Sequence, residues 1–194
     1  MMTIQGAAGL PASGFTPWMV TENRLCRGDG KRFRWIFHDG MGFGERRAWW
    51  REGTRRVPHE GLDILYYRCG DDAAEALAAR ALVCPLYPGE LVAMTEDFLG
   101  TTLWLRHEGV GTGAAALYGA MGHLAPLPGL GVGARLSAAE ALGRIAAGKV
   151  GRRVPAHLHI SLFVAPGGVD PRRFDWGALP DSLRFLDPAA VLQP

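Results

Sequence analysis

The chain has 194 residues and a mass of 20.9 kDa, a length that suits one domain able to bury a core without disulfides or a structural metal. Hydrophobic residues make up 48% and charged residues 21%, which excludes global disorder, and no apolar run is long enough to span a membrane. The formal charge is only +2, and the basic doublets Arg46-Arg47, Arg55-Arg56, Arg152-Arg153 and Arg172-Arg173 are scattered. A nucleic-acid partner is therefore not expected.

Residues 1–25 are rich in Gly, Pro, Ser and Thr and read as an extended lead-in arm. They show no basic n-region and no sustained apolar h-region, so no secretory signal is visible. Residues 32–37 alternate basic and apolar side chains, as a half-buried strand does. A loop with aromatic anchors follows over 40–50, and residues 59–67 end in a β-prone run. Residues 71–82 (DDAAEALAARAL) read as a short helix capped by Asp71 or Asp72. Strands are expected over 90–95 and 101–108, and another, short one before His123. Residues 124–134 form a Gly/Pro loop. At residues 137–146, Ser137 with Glu140 looks like a capping box opening a helix. Residues 156–165 are the clearest strand, apolar at nearly every position. The tail beyond Pro166 reads as mostly irregular.

The three cysteines, Cys26, Cys69 and Cys84, form no CxxC pair. A disulfide framework and a cysteine-based zinc site are both disfavoured. The cysteines read as free thiols, with Cys69 and Cys84 the two that flank one segment and could be neighbours. Any metal site must then come from histidines and carboxylates.

Two local patterns meet that need: His59-x-x-x-Asp63 and His157-x-His159. On a strand, positions i and i+2 share a face. His157 and His159 would then stand side by side while Leu158, Ile160 and Leu162 pack into the core. Unpartnered burial of each ring would cost about 1–3 kcal/mol, so the pair needs partners or solvent. A metal or catalytic pair competes here with two surface histidines on a half-exposed sheet. Hydrolytic zinc sites take three protein N/O ligands and leave one position open. His59, Asp63 and one of the 157/159 pair would supply such a set.

At these residues the sequence resembles the lysostaphin-type, LytM-domain peptidoglycan metallopeptidases. PHEGLDI at 58–64, GHL at 122–124 and AHLHISL at 156–162 are similar to the three signature segments of that family, in the same order. VCPLYPGELVA at 83–93, LSAAEALGRIA at 136–146 and VDP at 169–171 resemble its flanking segments, and the likeness at 136–146 implies a turn followed by a strand there in place of the capped helix. The likeness covers roughly residues 43–175. It implies His59, Asp63 and His159 as zinc ligands, with His157 as a catalytic histidine and His123 as its partner. The family's Tyr two residues before the latter is Met121 here. His38 and His107 match nothing and read as turn and surface residues.

The expected fold is mainly β, with an antiparallel sheet, a metal-floored cleft and a short helical insertion at about 68–82, read as a flap near the cleft. The expected division is a lead-in (1–25), a metallopeptidase-like domain (26–175) and a C-terminal tail (176–194). The leading functional expectation is a zinc-dependent endopeptidase that uses metal-activated water on peptidoglycan cross-links or a related peptide. A zinc-retaining, non-catalytic binding or regulatory protein is one alternative, and a histidine phosphocarrier-type domain is another. The resemblance implies the cell envelope or periplasm; the absent signal leaves the cytoplasm open. Trp49, Trp50, Tyr66 and Tyr67 could form a substrate platform or simply pack the core.

Overall fold

The computed structural model describes residues 3–5, 9–26, 31–110, 115–147, 154–166, 170–173 and 183–192. In chain order the elements are β1 (Thr3–Gln5), α1 (Phe15–Glu22), β2 (Phe33–Ile36), β3 (Gly61–Ile64), β4 (Tyr66–Cys69), β5 (Glu75–Ala76), β6 (Leu82–Val83), β7 (Gly89–Glu96), β8 (Thr101–His107), β9 (Ala115–Pro126), β10 (Arg135–Leu136), β11 (Gly143–Ile145), β12 (Leu158–Pro166) and β13 (Arg184–Leu186). Short 3-10 turns lie at Pro171–Arg173 and Pro188–Val191. Among these residues the fold is mainly β, as expected, and no helix is long and apolar enough to cross a membrane.

One ten-stranded sheet runs in the order β1-β13-β12-β9-β8-β7-β10, with β3 added to β12, and β11 bridging β9 and β6. Its pairings are antiparallel except β1 with β13. The strand β12 lies at its centre, bonded to β9 on one edge and to β3 and β13 on the other. Its nearly continuous apolar sequence follows from apolar clusters on both of its faces. Leu158, Ile160, Leu162 and Val164 enter the main core with Leu62, Ile64, Leu117 and Met121. On the other face, Phe163 and Ala165 join Trp104, Tyr118 and Phe185 in a second apolar cluster. His159 and Ser161 occupy the same face as that cluster by the two-residue period, nearer the start of the strand.

A second sheet, β2-β4-β5, has three strands. Its β5 lies within the segment expected to be helical, so that expectation is corrected: residues 71–82 form turns and short strands. Tyr66 and Tyr67 pair with Ala76 and Glu75, Leu77 N–H donates to the Leu65 carbonyl, and Arg80 has a φ of +73°. Only Leu77 and Ala81 in this stretch are buried, so an Ala-rich helix would have had no sufficient apolar face to dock. The open edge of β4 outcompetes helix propensity. No residue of 68–82 is among those lining the cleft described below.

The lead-in is more ordered than its composition suggests. The helix α1 has no side-chain N-cap bond, yet Phe15 and Met19 are fully buried. Thr16 Oγ1 donates to the Leu192 carbonyl at 2.7 Å, and the Asn23 side chain exchanges hydrogen bonds with the backbone of Leu82. Tertiary contacts hold this helix, which local sequence signals do not announce. Residues 137–146 resolve as a turn followed by β11. Ser137 N–H does bond Glu140 Oε2 at 2.7 Å, half of a capping box, but Gly143 then pairs with Val83 and Pro126. The tail contributes β13 to the sheet rather than remaining irregular there.

The cysteine expectation is overturned. Cys26 and Cys69 form a disulfide with Cα atoms 5.4 Å apart, and Cys84 is a buried free thiol. Forty-three residues of separation hid the pair. It ties the end of the lead-in to β4.

Candidate active site

The local geometry around β3 and β12 assembles the site. The two strands are antiparallel partners, and Asp63 stands directly opposite His159. Gly61 makes their approach possible, because a Cβ there would lie 2.2 Å from the Ile160 carbonyl oxygen. His59 precedes β3 in a loop fixed by backbone bonds, His59 N–H to Glu45 O (2.9 Å) and Gly44 N–H to His59 O (2.7 Å).

The ring nitrogens are pre-aimed. His59 Nδ1 faces the Gly42 carbonyl at 2.9 Å and so carries the proton. Its Nε2 lies 3.3 Å from His159 Nδ1 and 3.4 Å from Asp63 Oδ1. Asp63 Oδ1 is also 2.9 Å from His159 Nδ1. One donor atom from each of His59, Asp63 and His159 falls within 4.8 Å of the others, and all three side chains are largely buried. Two imidazoles and a carboxylate converging in a largely buried cluster fit a divalent cation such as zinc.

Outer contacts fix these groups. His159 Nε2 meets Ser161 Oγ at 2.7 Å and Glu60 Oε1 at 3.1 Å. Asp63 Oδ2 accepts from Trp49 Nε1 at 2.6 Å and from Arg55 at 3.2 Å. Burial alone would raise the Asp63 pKa, but His59, His157 and His159 hold it well below the usual carboxylate range. Burial likewise works against charge on His159, yet Asp63 and Glu60 push its pKa up to about 10. Glu60, Asp63 and Asp97 set three carboxylates against the single guanidinium of Arg55 in one cleft. Such an excess suits a cation.

His157 and His123 complete the set. His157 Nδ1 faces the Pro155 carbonyl at 2.9 Å, and its Nε2 is 3.6 Å from Asp63 Oδ1. The His123 and His157 rings meet edge to face, centroids 4.6 Å apart. By strict alternation His123 would follow Met121 into the core. A bulge prevents this: Thr101 pairs with Leu124 and Leu103 with Met121, so Gly122 and His123 together face Thr102. His123 takes a φ of +65°, a conformation that costs about 1–3 kcal/mol for a residue with a side chain, and lines the cleft instead. Met121, at the expected Tyr position, is buried in the core. The cleft encloses about 250 Å³, with Trp50 and Phe98 among its walls.

All five histidine and aspartate residues singled out from the sequence thus line one cleft. Asp97, Glu60 and Arg55 were not singled out. The signal for Asp97 was partial: an Asp three residues before a Gly marks a turn, but nothing local marks its contact with His123. Of the four aromatic platform candidates, Trp49 bonds Asp63, and Trp50 lies under the Arg55 guanidinium at 4.7 Å. Tyr67 stacks on Phe33 and Tyr66 packs against His38.

No protein-family model matches the chain, and no curated protein matches it. Solved structures do. A LytM from Ruminococcus gnavus superposes with a TM-score of 0.52 at 17% identity, over 85% of this chain and 55% of that one. The fold is of the lysostaphin/LytM type. Lysostaphin itself gives a TM-score of 0.46 at 16% identity over 86% of this chain and 51% of its own. LytU gives 0.47 at 18% identity over 81% and 91%. The chain spans about half the length of lysostaphin and of the Ruminococcus gnavus protein. At these identities the likeness is one of fold.

Proposed function

We propose that this chain is a zinc-dependent endopeptidase that hydrolyses a peptide bond, in peptidoglycan cross-links or a related peptide. The observation that carries the reading is the convergence of His59 Nε2, Asp63 Oδ1 and His159 Nδ1 beside His157 and His123 in one cleft. His59, Asp63 and His159 would hold the ion. The chemistry that zinc would supply there is Lewis acidity toward a carbonyl oxygen and a lowered pKa for water. Asp63 stays ionised through its histidine neighbours. Glu60 and Ser161 orient His159 through its outer nitrogen, as outer-shell partners of metal-binding histidines do. His157, with Nδ1 committed to a carbonyl, offers Nε2 as a proton acceptor. Trp50 and Phe98 wall the cleft and exclude water from one side of a bound peptide.

The Cys26–Cys69 disulfide supports a working place outside the reducing cytosol, where peptidoglycan is found. The phosphocarrier alternative fits less well. A phosphate on His157 or His159 would be forced against Asp63 and Glu60, a like-charge contact.

The test is metal analysis of the purified chain together with cleavage of muropeptides. About one zinc per chain and zinc-dependent hydrolysis are expected, with both lost in His59→Ala. Zinc binding without hydrolysis of any cross-link peptide would favour the binding-protein alternative instead.

A further inference from the structure

We propose that Asp97 is the positioning residue of this cleft: it locks the His123 ring in one orientation and one tautomer, so that Nε2 accepts a hydrogen bond from the attacking water. The inference rests on the peptidase reading above.

Asp97 receives donors on both oxygens. Oδ1 accepts from His123 Nδ1 (2.9 Å), Leu99 N–H (2.8 Å) and Gly100 N–H (2.7 Å). Oδ2 accepts from His123 N–H (2.9 Å) and Thr102 Oγ1 (2.9 Å). A carboxylate so surrounded is ionised and has no proton to give, so the hydrogen in its bond to the ring belongs to His123 Nδ1. The other ring nitrogen, Nε2, is then the lone-pair nitrogen of the neutral imidazole.

The same carboxylate holds His123 twice, by ring and by backbone. The backbone grip matters because His123 sits at the bulge with a positive φ, where a side chain needs an outside anchor to keep its place. Thr102, the residue facing the bulge, ties Asp97 to the neighbouring strand. Phe98, next in sequence, lies edge-on to the His123 ring at 4.6 Å and limits its swing.

His157 reaches the same tautomer by another route, donating Nδ1–H to the Pro155 carbonyl. Two imidazoles whose rings touch would therefore both present Nε2 as an acceptor. A neutral His123 in this tautomer has no Nε2–H to offer a developing oxyanion. Its role falls on the water side of the reaction, where it fixes the direction of attack.

The experiment uses the full chain. Nitrogen-15 spectra of the histidine rings, recorded with and without zinc, should show His123 protonated at Nδ1 in the wild type. In Asp97→Ala that signature should be lost to the Nε2–H form or to a mixture. In peptide hydrolysis, Asp97→Ala should lower kcat on the order of 100-fold while KM and bound zinc stay at wild-type values. Asp97→Asn, which keeps one acceptor oxygen, should recover part of the loss. Two results overturn the proposal: a wild-type His123 protonated at Nε2, or an Asp97→Ala chain with wild-type kcat. If the wild type cleaves no peptide, the peptidase reading fails separately. The wild-type ring spectra test the Nδ1–H tautomer without any variant, and Asp97→Asn, which keeps an acceptor oxygen, serves where Asp97→Ala does not fold.

Discussion

His107 closes β8 with its ring turned inward. Nδ1 faces the Tyr87 carbonyl at 3.0 Å, and Nε2 is buried without a hydrogen-bond partner against Gly119, where a Cβ would come within 2.5 Å. At the end of a strand it reads from sequence as a surface or strand-end residue; two-residue alternation instead turns it inward between exposed Arg106 and Glu108, and pairing of β8 with β7 and β9 completes the burial. Burial pushes its pKa down to about 4 from an ordinary 6.5. The unfolded chain therefore binds this proton first. The stability that neutral His107 supports is complete above pH 6.5 and is lost as pH falls toward 4, by about 3 kcal/mol. Urea unfolding of wild type and His107→Gln across that window checks it: the variant should lose this part of the pH dependence, and parallel curves would refute the assignment. Four of the five site residues were legible for the opposite reason, and His123 only through the resemblance of its segment. His59 with Asp63, and His157 with His159, are short-range patterns tied to strand geometry. Asp97 and Glu60 act through hydrogen bonds to rings supplied by other segments, so their identity carries no periodic signal.

At the level of strands, the sequence pattern was readable wherever one face is core. The strands β7, β8 and β12 follow from period-two or continuous apolar runs. The lengths of β9 and the fate of 71–82 do not, because both depend on which edge is available for pairing. The bulge at Gly122 and His123 is a further limit: alternation assigns His123 to the core, and one extra residue reverses it. Gly61 is the most exacting position of this kind. A Cβ there would meet the Ile160 carbonyl at 2.2 Å and Ser161 Oγ at 2.8 Å. Gly61→Ala should force β3 away from β12, destabilise the fold by about 1–3 kcal/mol and reduce bound zinc. A thermal melt and metal analysis on one preparation check both, and a variant with wild-type values in each would show that the two strands can separate without cost.

Across the whole molecule, the disulfide joins Cys26, next after the lead-in, to β4 of the three-stranded sheet, and neither cysteine lines the cleft. Its removal should act on stability rather than on chemistry. Cys69→Ser should lower the unfolding free energy by about 2–4 kcal/mol, read from denaturant midpoints with and without reductant. Thiol titration of the denatured, unreduced chain should find one free thiol, that of Cys84; three would refute the pairing. Composition gave no hint of this bridge, since three cysteines without a spacing motif are equally compatible with none.

The direct register of Asp63 against His159 has one more consequence. A slip of β12 by a single residue against β3 would bring Leu158 or Ile160 opposite Asp63 and turn both ring nitrogens of His159 to the other face of the sheet. The donor set therefore exists in one alignment of the two strands and in none of its neighbours. An ion bound there would hold together residues almost a hundred positions apart and would reward only the correct pairing. With an ion bound, the site would favour the sheet in which the central strands have found their proper partners.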